Sequence, residues 1–204
     1  MSSAFRTQFP GYDVLAKRDT PSWNAPSRDA IEKRLHEVPP RRFLSEEEWQ
    51  ILEAICARLL PQPDRGAAAV PIVPWLDEML DKDQGDGTRY AGMPPMREAW
   101  RRGIRAIEEE GRTHFGAPFR ELAPGRQDDI LRFVQQGEVK GAAWEGLPAK
   151  RFFTSLLLAH VVAVYYAHPA AWNEIGFGGP ASPRGYVRLG FDRHDAWEAE
   201  RRER

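Results

Sequence analysis

The sequence predicts an all-α protein, a single helical domain of about five main helices with an extended N-terminal arm and an irregular C-terminal segment. Three observations carry that expectation. Apolar residues recur every three to four positions in separate stretches of the chain. No stretch alternates apolar and polar residues with the period of two that a half-buried strand requires. Helix start and stop residues stand where those stretches begin and end, with Ser45 and Pro124 at starts and Pro61 and Pro63 at a stop.

Residues 1–40 read as the arm. FPGYDVL and DTPSWNAP supply turn residues and isolated aromatics without a sustained period. Within the arm, SRDAIEKRLH (27–36) spaces Ile31 and Leu35 one turn apart behind a capping Ser27, which suits a short helix. Phe9, Tyr12, Leu15 and Trp23 must be buried somewhere, on the arm's own domain or on a partner.

Residues 41–168 are read as the helical domain. The clearest helix spans 45–60: Ser45 followed by Glu48 is a capping box, and Phe43 and Trp49 flank it in the manner of a hydrophobic staple. Trp49, Leu52, Ile55, Cys56 and Leu59 make its apolar face, and Pro61 ends it. A second helix over 71–82 carries Val73, Leu76, Met79 and Leu80. The loop DKDQGDG has alternating acids but lacks the terminal glutamate of a calcium loop, so it reads as a solvated turn. A third helix over 95–114 shows Met96, Trp100, Ile104 and Ile107 on one face and the charges of REAWRRGIRAIEEE on the other. A fourth, over 124–136, has Pro124 in its first turn and Ile130, Leu131, Phe133 and Val134 inside. A fifth, over 148–167, is apolar on all sides and is therefore expected to be central. It falls short of the roughly 20 residues a membrane span needs.

Composition narrows the function. Charged residues make up 29% of 204 residues, yet the net charge is only -1, which argues against a nucleic-acid binder. The cations are mostly arginine, whose planar group favours bidentate pairing and protein contacts. The single cysteine, Cys56, forms no internal disulfide and sits on an apolar helix face. No catalytic, cofactor or metal set emerges. The five histidines form no HxxxH or HExxH pair, and neither a haem motif nor a dinucleotide fingerprint is present. GFGGP (176–180) follows a helix rather than a strand and lacks the lysine and hydroxyl of a phosphate loop.

The stretch YYAHPAAWNEIGFGGPASPRGY (165–186) concentrates aromatics, glycines and prolines, and residues 169–204 are read as an irregular, partner-facing segment with a charged tail. Tyr165, Tyr166, Trp172, Phe177 and Tyr186 have the character of interface anchors. Gly178 and Gly179, with Gly176, permit close backbone approach. Arg184 and Arg188 suit partner carboxylates. His168 and Asn173 complete the candidate surface. The alternative is that the same segment folds back over its own helices as a rigid cap, and the two are compatible. A different class of reading makes the chain a stand-alone ligand-binding protein or small enzyme whose pocket uses His160, His168 and the glycine-rich loop.

Most of the chain, from about Gly11 to Trp197, resembles the gluconate 2-dehydrogenase subunit 3 family. The residues that carry the resemblance are YYAHPAAWNEIGFGGPASPRGYVRLGFDRHDAWE, supported by FPGYDVLAKRDTPSWN, RFLSEEEWQILEAICARLLPQPD and YAGMPPMREAWRRGI. The resemblance implies a non-catalytic small subunit that binds, stabilises and helps mature a large FAD-dependent sugar or polyol oxidoreductase of the glucose-methanol-choline type. FAD is then expected in the partner and not in this chain, with a cytochrome electron acceptor as a further member of the complex. Many relatives of this kind carry a twin-arginine export signal. Here Arg41-Arg42-Phe43-Leu44 is followed by acidic SEEEW and no apolar run, so a cytoplasmic location is expected. The alternative is a periplasmic complex exported with its partner.

Overall fold

The computed structural model describes residues 9–63, 65–85, 87, 90–180 and 198–200. They are all-α, with helices α1 (Ala25–His36), α2 (Glu46–Leu59), α3 (Ile72–Asp81), α4 (Met96–Phe115), α5 (Pro124–Gln136), α6 (Ala149–Ala167) and α7 (Pro169–Ile175). No single helix among the described residues is long and apolar enough to cross a membrane. The chain divides into two compact units: a helical unit of Pro39–Pro63 and Pro71–Val164, and a second unit of Met1–Val38, Asp64–Val70 and Tyr165–Arg204.

The helical unit follows the expected periodicities. At the start of α2, Ser45 Oγ accepts from the Glu48 amide at 3.1 Å while Glu48 Oε2 accepts from the Ser45 amide at 2.9 Å, a complete capping box. Ile51, Leu52, Ile55 and Cys56 face the core, whereas Trp49 is only half-buried and donates to Glu53 on the exposed side. The Phe43 ring is flanked by cations instead, with the guanidinium groups of Arg97 and Arg101 4.6 and 4.3 Å from its centroid. α4 buries Trp100, Ile104 and Ile107, and Gly116 ends it in the left-handed conformation at φ 76°. Arg58 joins α2 to α5 through two bonds to Asp128, at 2.8 and 2.7 Å.

Gly103 sets how closely α4 and α6 approach. A Cβ at Gly103 would stand 2.2 Å from Phe152 Cζ, so the buried Phe152 ring lies against bare α4 backbone. The same ring meets Trp100 edge-on, with centroids 6.0 Å apart.

The charged face expected of α4 is corrected at two positions. Glu108 and Glu110 are buried, and only Glu109 of the EEE run is exposed. Glu110 accepts from the Lys140 amide (2.6 Å), the Gly141 amide (3.0 Å) and Trp144 Nε1 (3.0 Å), and contacts His114 Nε2 at 2.9 Å. It therefore fastens the 140–144 loop to α4. Asp77 on α3 does the same for the chain entering α2, accepting from the amides of Arg42, Phe43 and Leu44 at 2.6, 3.1 and 2.7 Å. A carboxylate is stable in such places because several backbone donors replace its water shell.

The fifth expected helix is present, but it is not uniform. Between its α-helical ends, Phe152–Leu158 is wound as a π-helix. Its last turn, Tyr165–Ala167, belongs to the second unit.

The second unit is built from a 3-10 turn at Val14–Lys17, α1 and α7. The arm is thus less extended than its sequence suggested. α1 starts earlier than expected, at Ala25, because Asn24 rather than Ser27 caps it: Asn24 Oδ1 accepts from the Ser27 amide at 3.0 Å. The C-terminal segment opens with a helix instead of irregular chain, since Pro169 is well placed in a first turn and Gly176 closes the helix at φ 67°. Val14, Trp23, Ile31 and Trp172 form the core of this unit, with Tyr12, Leu15 and Leu35 packed around it.

Candidate functional site

The candidate surface read from the sequence begins at the end of α6. Tyr165 is buried, and its hydroxyl donates to both carboxylate oxygens of Glu174, at 2.9 and 3.0 Å. Arg65 forms an ion pair with Glu174, donates to the Ala170 carbonyl at 2.9 Å and sits over the Tyr165 ring. Tyr166 is half-buried and meets Tyr165 edge-on at 5.0 Å. His168 caps α7, its Nδ1 accepting from the Ala170 amide at 3.2 Å. Burial pushes the His168 pKa below its ordinary value of 6.5, and the nearby Arg34 and Arg65 cations push it the same way.

Trp172 and Asn173 face the arm of their own chain. Trp172 Nε1 donates to the Tyr166 carbonyl at 2.7 Å, and its ring joins the core of the second unit. Asn173 Oδ1 accepts from the Val14 amide at 2.8 Å. Lys17 Nζ donates to the Gly178 carbonyl at 3.0 Å. Gly179, at φ 72°, leaves room for Trp23: a Cβ there would come within 2.8 Å of Trp23 Cζ2. The folded-back reading therefore describes Tyr165, His168, Trp172, Asn173, Gly178 and Gly179. Arg184, Tyr186 and Arg188 lie outside the described residues.

Phe177 and Ile175 differ from these neighbours. They are 38% and 46% exposed, although each belongs to a tightly fixed stretch of backbone. The Phe177 amide donates to the Trp172 carbonyl at 3.0 Å, and its ring rests edge-on against Trp172 at 5.3 Å. Gly176 and Gly178 on either side are held by the α7 cap and by Lys17. The result is a large apolar side chain presented to solvent from backbone that is hydrogen-bonded on either side.

His160 belongs to the helical unit and lines a cavity of about 330 Å³ with Asp83, Tyr90, Met93, Met96, Ser155 and Leu156. The imidazole is buried and stacks on Trp100, with centroids 6.0 Å apart and planes 13° apart. His168 caps a helix of the second unit, so the two histidines have separate surroundings. Cys56 is buried, and desolvation with the Glu53 charge pushes its thiol far above the usual range. No group of three or more histidine, cysteine, aspartate or glutamate side chains among the described residues is arranged to hold a metal ion.

The family model for gluconate 2-dehydrogenase subunit 3 matches residues 46–179. That range runs from the first residue of α2 through α7 to Phe177 and the glycines beside it. The chain belongs to the gluconate 2-dehydrogenase subunit 3 family. No curated protein and no solved structure matches it. The family's name denotes a subunit of a dehydrogenase complex.

Sequence reasoning missed Asp77, Glu108 and Glu110. Their signal was available: each lies three or four positions from core residues, Asp77 after Val73 and Glu108 and Glu110 after Ile104 and Ile107. An acid on an apolar stripe needs donors, and here loop amides and Arg120 supply them. Asp83 and the π-wound stretch were also missed, for reasons taken up below.

Proposed function

We propose that this chain is the non-catalytic small subunit of a dehydrogenase complex, and that it binds, stabilises and helps mature a large FAD-dependent sugar or polyol oxidoreductase. Membership of the gluconate 2-dehydrogenase subunit 3 family supports the subunit role. The observation that carries the binding surface is Phe177, exposed yet immobilised between two anchored glycines and the Trp172 ring. An apolar anchor that is already rigid loses little entropy on docking, which is what distinguishes the energetically dominant residues of an interface. Ile175, two residues away, is a second exposed apolar side chain. Buried Trp172 then acts by positioning Phe177 rather than by entering the partner.

The test is co-purification with the large subunit. Phe177→Asp should leave the circular dichroism spectrum of this chain unchanged and remove the complex. Undiminished capture of the large subunit by the Phe177→Asp, Ile175→Asp double variant would refute the assignment of this surface.

A further inference from the structure

Three irregularities of the helical unit meet at one cavity. The first is Asp83, the only non-glycine residue at positive φ among the described residues, at 50°. It follows the C-terminus of α3, where the Asp83 amide bonds to the Leu80 carbonyl and the Gln84 amide to the Met79 carbonyl. Glycine meets this requirement without strain, whereas a carboxylate here costs on the order of 1 kcal/mol. The second is the π-wound stretch Phe152–Leu158, a form concentrated at functional sites. In a regular α-helix, Ser155 would lie roughly 140° around the axis from His160. Bonding from i to i+5 brings residues five apart onto one side, and Ser155, Leu156 and His160 all line the cavity. The third is His160 itself, a titratable ring buried against Trp100.

The cavity lining is of two chemical kinds. Tyr90, Met93, Pro94, Met96 and Leu156 give an apolar wall, with two thioethers that adapt to the shape of what they hold. Asp83, Ser155 and His160 are the polar members of the lining. A carboxylate, a hydroxyl and an imidazole all accept hydrogen bonds, and the one charged side chain among the described lining residues is negative. Its volume, about 330 Å³, suits a small molecule.

We propose that this cavity is a ligand site for a small, uncharged, ring-sized molecule that donates a hydrogen bond to one of its acceptors, Asp83, Ser155 or His160. The site goes beyond the subunit role and does not depend on it: a chain that holds an oxidoreductase can also carry a ligand in its helical unit, and loss of either property leaves the other intact.

The test uses three isosteric probes on the full chain with labelled methionine methyl groups: p-cresol, toluene and p-toluate. Saturable shifts of Met93 and Met96 with p-cresol are expected, with toluene bound about tenfold more weakly for lack of the hydroxyl and p-toluate weaker still. Ser155→Ala should narrow the gap between p-cresol and toluene. Leu156→Trp should fill the cavity and abolish the shifts with an unchanged circular dichroism spectrum. Should Leu156→Trp not fold, Met96→Trp, read at Met93, fills the same space from a half-buried wall position. Absence of a saturable shift, p-toluate binding more tightly than p-cresol, or p-cresol shifts persisting in a folded filled variant would each overturn the proposal.

Discussion

The two units of this chain are stabilised in different ways. The helical unit is held by apolar stripes repeated along five helices and by buried carboxylates that pin loops to them. The second unit has few helical turns and joins residues about 150 to 160 positions apart: the Val14 amide to Asn173, Lys17 to the Gly178 carbonyl, and Trp23 beside Trp172. Redundancy separates them. Losing one stripe residue leaves many others in place, whereas the second unit depends on one tryptophan from each end of the chain.

The contrast breaks most severely where the helical unit itself has no redundancy. Gly103→Leu should prevent α4 and α6 from packing, because its side chain must displace the Phe152 ring 2.2 Å away. Loss of the cooperative thermal transition is the expected readout. Trp172→Ala should cost about 3–5 kcal/mol, with faster hydrogen exchange confined to residues 9–38 and 165–180 and the helical unit still protected. Uniformly faster exchange would mean that the two units are not separable in stability. Glu110→Ala should cost about 1–3 kcal/mol by orphaning the Lys140 and Gly141 amides and the Trp144 indole. The loop at 140–144 should become the first point of proteolysis.

The smallest effect is one of pH, and it sharpens the comparison because it belongs to the second unit. The folded pKa of His168 lies below its ordinary value of 6.5, so as pH falls the unfolded chain takes up the proton first. Stability should therefore decline as pH drops through 6.5 toward the depressed folded value, and level off below it. His168→Asn keeps a good N-cap for α7 and should flatten that decline, measured by denaturant titration between pH 7 and pH 5.

The all-α class and the bounds of α2 to α5 were legible because local rules suffice for them: a period of 3.6, a capping box, a proline at a start. α6 was legible as a helix, but neither the exposure of Arg151, Thr154, Ala159 and Ala163 along it nor its π-wound stretch, where Phe152 meets Gly103 and Trp100, was. Asp83 hid in a loop whose polarity suggests only a turn. The aromatic run at the C-terminus marked candidate anchors, for a partner or for the chain's own helices, without deciding between the two. Whether Trp172 meets the chain's own Trp23 or another protein is decided by contacts across the length of the chain, which no local pattern encodes. Phe177 stands out from Trp172 only after the core of the second unit is assembled.

The proposed role is to complete another protein rather than to oxidise a substrate. The most direct measurement expresses the large flavin subunit with and without it and determines FAD bound per large-subunit polypeptide together with sugar or polyol dehydrogenase activity. The account predicts a soluble, FAD-loaded, active large subunit only when this chain is present, with activity lost alongside complex formation in the Phe177→Asp variant. A large subunit equally FAD-loaded and equally active when expressed alone would contradict it.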